Sequence, residues 1–266
     1  MISMERYKQK DVLMELYNEH KNIRKIAEIL EVNHKTISIW MKKHGIKTIG
    51  SQGARKNNLN HDFFESIDSE EKAYWLGFIM ADGCVYKGSD ESSLRLQINL
   101  KGSDIEHLEK FQNAIDSSYK IQTKMIKTSS VCILKVNSTK MCQDLIALNV
   151  VPRKSLVAEM PLIQEDLQKH YIRGYFDGDG CLDFVNKRIR ARMVGTENMM
   201  SSIHEILKRN GIRSSVYKPS TGKKVFSLEI TKKAEALNFF KWIYEESNTY
   251  LSRKKELYES SKGCPL

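Results

Sequence analysis

Two aspartates occupy equivalent places in two similar stretches of the chain. Tyr74-Trp75-Leu76-Gly77-Phe78-Ile79-Met80-Ala81-Asp82-Gly83-Cys84 aligns with Tyr171-Ile172-Arg173-Gly174-Tyr175-Phe176-Asp177-Gly178-Asp179-Gly180-Cys181 at a constant offset of 97 residues. The Tyr, two Gly, the last Asp and the Cys are identical, and Ala81 faces Gly178 as a second small residue. Asp82 and Asp179 each close a helix-forming run, just before a glycine. A carboxylate there meets the negative end of the helix dipole, so a purely structural role is poorly motivated. A single Asp-Gly pair is ordinary turn chemistry. Two copies with duplicated flanks favour metal binding instead. Carboxylates brought together repel each other, and a divalent cation relieves that repulsion. An oxygen-only donor set favours Mg²⁺ or another hard ion such as Mn²⁺.

The elements that must position these acids are duplicated too. Gly77 with Ala81, and Gly174 with Gly178, lie four apart and so on one helix face. A helical glycine costs about 1 kcal/mol against alanine. Close approach of the two helices compensates, and if they pack side by side and parallel both acids reach the same edge. After the first copy the pattern predicts strands at residues 94–100, 119–127 and 131–137, with helices at 105–115 and 140–149. After the second it predicts strands at 182–186, 189–194, 213–218 and 225–231, with helices at 198–209 and 232–246. The tails also agree, Pro152-Arg153-Lys154 with Ser252-Arg253-Lys254. The expected fold is α+β, two pseudo-twofold αββαββα halves over residues 61–156 and 157–266.

Residues 1–45 read as a separate all-α module. Residues 5–20 form an amphipathic helix bearing Val12, Leu13, Leu16 and Tyr17. Asn33 is a good N-cap for a helix running to His44, stopped by Gly45. Ile26, Leu30, Val32, Ile37 and Trp40 would make a small core. The module resembles a helix-turn-helix DNA-binding unit. Its turn position, where glycine is usual, is Glu31, which must then adopt a left-handed conformation. The reading face of the last helix would carry His34, Lys35, Ser38 and Lys42. A plain three-helix bundle is the alternative. Residues 46–60 read as a linker, whose Arg55 and Lys56 either follow a DNA backbone or sit in an ordinary tether.

The segments WLGFIMADG and IRGYFDGDG resemble the paired LAGLIDADG motifs of the homing endonucleases, and the likeness covers roughly residues 60–262. The resemblance implies that the motif helices form the interface between the halves and that two antiparallel sheets make a saddle over a DNA duplex. It implies metal binding by Asp82 and Asp179, with the carbonyls of Ala81 and Gly178 as further ligand positions. It places basic residues near the site at Lys154 and Lys254, with Arg153 and Arg253 as neighbours. Base readers on the strands would include Arg95, Gln97, Asn99, Arg190, Arg192 and Lys218. Met80 replaces the inner acid of the first motif and Asp177 keeps it in the second. That position is not the family's metal ligand, so Asp177 is expected to be dispensable for cutting. Arg173, at a usually small position, is expected to make a contact on the outer side of its helix. The implied activity is a metal-dependent, staggered double-strand break at a long DNA site, serving homing of a mobile intron or similar element. A non-cleaving transcription regulator and an RNA-binding intron maturase are the alternatives on the same scaffold.

Composition agrees with a polyanionic partner. Residues 1–60 hold 12 Lys and Arg against 6 Asp and Glu, so +6 of the net +10 sits in under a quarter of the 266-residue chain. With 41% apolar and 29% charged residues and only 4 Pro, the chain is globular, and the length fits about two domains. No apolar run approaches the roughly 18 residues of a membrane span. No secretory or transit pattern opens the chain, which points to the cytoplasm. Five cysteines, without a C-x-x-C, argue against a disulfide framework or a zinc knuckle. Neither a terminal Cys nor a His-Asn pair suggests a self-excising element, so a free-standing chain is expected. It would work as a monomer with no obligate protein partner, since both motif copies lie in one chain.

Overall fold

The computed structural model describes residues 5–46, 48, 57–88, 93–126, 128–185, 188–218 and 225–262. The chain divides into two compact units, Met1–Lys56 and Asn57–Leu266. Arg55 and Lys56 lie outside the described residues.

The first unit contains α1 (Lys10–His20), α2 (Ile23–Ile29) and α3 (His34–Lys43). Its core is Leu13, Tyr17, Ile26, Ala27, Ile37 and Met41, with Leu30, Val32 and Trp40 packed at the rim. Asn33 caps α3 by accepting from the Lys35 amide at 2.9 Å. Asn22 caps α2 in the same way, accepting from Arg24 and Lys25. Glu31 adopts φ +52°, the left-handed turn that the spacing requires. The helix expected over 5–20 is broken at Gln9, whose backbone is extended. Residues Arg6–Lys8 form a 3-10 turn instead. That turn is pinned to α3, because the His44 ring nitrogen lies 2.7 Å from the Lys8 carbonyl and Tyr7 packs edge-on against Trp40.

The second unit runs α4 (Glu70–Asp82), β1 (Gly83–Lys87), β2 (Leu94–Lys101), α5 (Ile105–Ala114), β3 (Gln122–Ile126), β4 (Ser129–Asn137) and α6 (Thr139–Ala147). It then repeats as α7 (Gln168–Asp179), β5 (Cys181–Val185), β6 (Arg188–Gly195), α8 (Glu197–Arg209), β7 (Ser215–Tyr217), β8 (Phe226–Ile230) and α9 (Lys233–Tyr244), and ends in α10 (Ser252–Lys262). Each half is αββαββα. The strand orders are β1-β2-β4-β3 and β5-β6-β8-β7, antiparallel throughout.

Alternation fixes which way each sheet faces. Leu96, Ile98 and Leu100 of β2 and Cys132, Leu134 and Val136 of β4 are buried against the helices. In the second half Ile189, Ala191 and Met193 of β6 and Leu228 and Ile230 of β8 do the same. A single apolar cluster spans both halves. At its centre α4 is buried from Ala73 to Met80 and α7 from His170 to Asp177. A helix apolar on every side belongs in an interior. The two run parallel along their glycines. A Cβ on Gly77 would lie 2.0 Å from the Tyr171 carbonyl oxygen, and one on Gly174 would lie 1.9 Å from that of Tyr74.

Candidate functional site

Because α4 and α7 are parallel and in register, their C-termini arrive together. A Cβ on Gly178 would stand 2.4 Å from the Ala81 Cβ and 3.4 Å from Oδ2 of Asp82. The Asp82 carboxylate therefore reaches across to the α7 backbone one residue before Asp179. Burial pushes the Asp82 carboxyl up to about 6, and the neighbouring negative charge of Asp179 adds to the shift. Burial likewise raises Asp179. The amines of Lys154 and Lys254 oppose the shift at both acids.

Those lysines sit where the negative helix ends need them. Lys154 Nζ donates to the carbonyls of Gly83 at 2.5 Å and Ala81 at 3.3 Å. Lys254 Nζ donates to those of Phe176 and Gly180, both at 2.5 Å. Burial lowers both amines, Lys254 to about 8. Two carboxylates whose charge is disfavoured by burial and by each other, with backbone oxygens beside them, make a donor set that suits a hard divalent cation. Among the described residues no group of three or more His, Cys, Asp and Glu side chains gathers. The protein thus offers two carboxylates, and carbonyl, water or ligand oxygens would complete a coordination shell.

The neighbours expected at the site behave differently. Arg253 Nε donates to Asp104 Oδ2 at 3.0 Å, so its bonded partner is at the head of α5, while its charge still acts on Asp82. Arg173 is not on an outer side. It is 1% exposed, and its guanidinium donates to the Thr249 and Ile243 carbonyls, to His170 Nδ1 and to Glu70 Oε1. A buried guanidinium needs such a full set of acceptors, and only the interior supplies it. Asp177 is no spectator either. It is 1% exposed and accepts from Tyr74 Oη, Tyr244 Oη and the Leu251 amide.

His107 extends this network into the first half. Its Nε2 lies 3.0 Å from Tyr74 Oη. Tyr74 donates its own proton to Asp177, so His107 Nε2 is the donor to Tyr74. Burial holds the imidazole down at about 3. The His107 ring resonances are expected to keep neutral shifts on NMR titration down to pH 4. A midpoint near the ordinary 6.5 would refute this wiring.

The family model described as a LAGLIDADG-like domain matches residues 166–244. Over that stretch, which takes in α7 to α9, the chain is similar to LAGLIDADG-like domains. Its fold is that of the homing endonuclease I-DmoI, solved in complex with DNA and Ca, at TM-score 0.51 and 19% identity over 76% of this chain and 99% of that one. It is equally like the I-SmaMI LAGLIDADG homing endonuclease bound to cleaved DNA, at TM-score 0.50 and 11% identity over 74% of this chain and 88% of that one. A probable translation initiation factor IF-2 of Methanocaldococcus jannaschii is 26% identical over 93% of this chain, which spans 22% of that relative's length. The LAGLIDADG-like sequence thus resembles one segment of a much larger protein.

The strand residues proposed as readers share the exposed sheet faces. Arg95, Gln97 and Asn99 alternate with the buried positions of β2. Arg190 and Arg192 are exposed on β6, and Lys218 is exposed just beyond β7. The end of β4, Leu134–Asn137, also alternates, and it adds two residues not anticipated. Lys135 lies across from Gln97, and Asn137 across from Arg95. In the first unit, His34, Lys35, Ser38 and Lys42 are all exposed on α3, with Ile39 among them at 64% exposure. No helix of the described residues is long and apolar enough to cross a membrane.

Proposed function

We propose that this chain is a site-specific, metal-dependent DNA endonuclease that makes a staggered double-strand break in the service of homing. The observation that carries the reading is the meeting of Asp82 and Asp179 at the shared end of α4 and α7, with one lysine at each helix terminus. Asp82 and Asp179, with the nearby carbonyls of Ala81 and Gly178, would hold Mg²⁺ or Mn²⁺. A bound divalent ion there supplies an activated water and stabilises the charge on the scissile phosphate and the leaving 3′-oxygen. The chain's residues do the rest. Lys154 and Lys254 hold positive charge beside each acid and fix the helix-end carbonyls. The exposed faces of β2, β4 and β6 present Arg, Gln, Asn and Lys toward a duplex, where such side chains bond base edges and phosphates. Two acids serve two strands, and one chain supplies both, so a monomer suffices. The test is selection of cleaved sites from a randomised duplex library with Mg²⁺. Recovery of one long preferred site cut on both strands supports the reading. Binding without any cut favours a regulator on this scaffold.

The first unit is assigned DNA binding without chemistry, on its basic charge and the exposed polar face of α3. Removing residues 1–56 is expected to weaken DNA binding and flatten its salt dependence, because fewer phosphate contacts release fewer counterions. Cutting at saturating enzyme should survive. A folded truncated protein that binds DNA but no longer cuts would overturn this division of labour.

A further inference from the structure

The two halves hold their lysines by different means. In the second half Asp177 accepts from the Leu251 amide at 2.8 Å, and the Leu251 carbonyl accepts from the Lys254 amide at 3.0 Å. Lys254 is thereby set at the head of α10, 5% exposed, with Nζ on the Phe176 and Gly180 carbonyls. Tyr244 Oη at 2.6 Å and Tyr74 Oη at 2.8 Å lock the Asp177 carboxylate in place. In the first half the matching residue is Met80, which has no such acceptor. Lys154 instead begins a 3-10 turn, Lys154–Leu156, after Arg153 in the left-handed region at φ +59°. Pro152, Arg153, Ser155 and Leu156 around it are exposed.

The geometry points to Asp177 as a positioning residue that seats Lys254 through the Leu251 amide, so that the two strand cuts are served by one lysine set through a buried carboxylate and one lysine held without it. The inference rests on the endonuclease reading above. A displacement of about 1 Å at a working group costs up to about a hundredfold in rate. Asp177→Asn leaves one neutral acceptor oxygen and an NH2 donor where three donors converge, and so weakens the Leu251 bond, whereas nothing equivalent changes at Lys154.

The experiment follows the two nicks separately on a duplex labelled on each strand, under single-turnover conditions with Mg²⁺. In parallel, amine acylation of the metal-free, DNA-free protein is read at Lys154 and Lys254 by mass spectrometry. Asp177→Asn is expected to slow one nick by about ten- to a hundredfold, leave the other within about twofold, and raise acylation of Lys254 alone. Tyr244→Phe, which removes the bond to Oδ1 but spares the Oδ2 that accepts the Leu251 amide, should lower stability and leave the strand ratio and Lys254 labelling unchanged. Tyr74→Phe, which removes the hydroxyl that shares Oδ2 with the Leu251 amide, should move both readouts in the direction of Asp177→Asn by less, and it carries the test if Asp177→Asn does not fold. Equal slowing of both strands, or Lys254 labelling no different from wild type, overturns the inference. If the wild-type protein cuts nothing, the endonuclease reading falls, while the acylation readout still decides whether Asp177 seats Lys254.

Discussion

Asp82→Asn and Asp179→Asn are each expected to reduce DNA cutting by several orders of magnitude while leaving DNA binding intact. Asparagine keeps the size of the side chain but not the negative charge that would hold a cation. The fold should not suffer. Desolvation raises both carboxyls, Asp82 half-buried and Asp179 at the exposed helix end, so their charge is disfavoured in the folded state, and an amide removes that cost. Melting temperatures equal to or above wild type are therefore expected in the absence of metal, together with equal or tighter gel-shift binding in EDTA. Wild-type cleavage rates for both variants in Mg²⁺ would refute the assignment. This pattern of lost rate without lost stability separates working residues from packing residues.

The second large effect concerns the helix seam. Two arguments give opposite signs for Gly174→Ala. Helix propensity predicts a gain of about 0.5–1 kcal/mol. Packing predicts a loss, because the new methyl would lie 1.9 Å from the Tyr74 carbonyl oxygen and 2.8 Å from the Phe78 amide nitrogen. Both obstacles are backbone, so no side chain can swing away, and the packing term wins. A loss of at least about 3 kcal/mol is expected, which is about 10 °C in melting temperature for a unit this size. Gly77→Ala should behave alike, meeting the Tyr171 carbonyl oxygen at 2.0 Å. Gly45→Ala is the contrast, with no heavy atom within 4 Å of its Cβ and a strained φ of +66°. About 1 kcal/mol is expected there. Thermal melts of the three variants settle it, and a stabilised Gly174→Ala would show that the helices can separate at little cost.

Duplication made most of this architecture legible. A constant offset carried Asp82, Asp179 and the small residues of both helices, so the parallel seam and the meeting of the acids followed from spacing. The sheet faces were readable at β2 and β6, where buried and exposed positions alternate strictly. β1 was not placed, because five residues with two buried positions carry too little periodicity, and its presence follows only from the symmetry of the halves. α10 was missed for a related reason. Its sequence is polar, and burial falls on Lys254, Tyr258 and Ser261, of which Tyr258 alone joins the apolar cluster. Arg173 and Asp177 escaped because their partners, Thr249, Ile243, Tyr244 and Leu251, lie some seventy positions away. No local pattern announces a bond of that range. The Asn22 cap was readable in principle, as an Asn directly before an amphipathic run.

The seam also bears on what the covalent connection between the halves is for. Residues joining α6 to α7 include Leu156, Val157 and Leu162, all exposed, the last fully so. The same stretch buries Val150, Ala158, Pro161 and Leu167 and packs Met160 and Ile163 against the apolar cluster, whose centre α4 and α7 share. Besides carrying Lys154 and these anchors, the connection is a tether that keeps each half at high effective concentration for the other. A protease clip at Leu162 would leave a heterodimer held by the same seam. Its assembly would become dilution-sensitive, and its two acids would come apart at concentrations where the intact chain still holds them together.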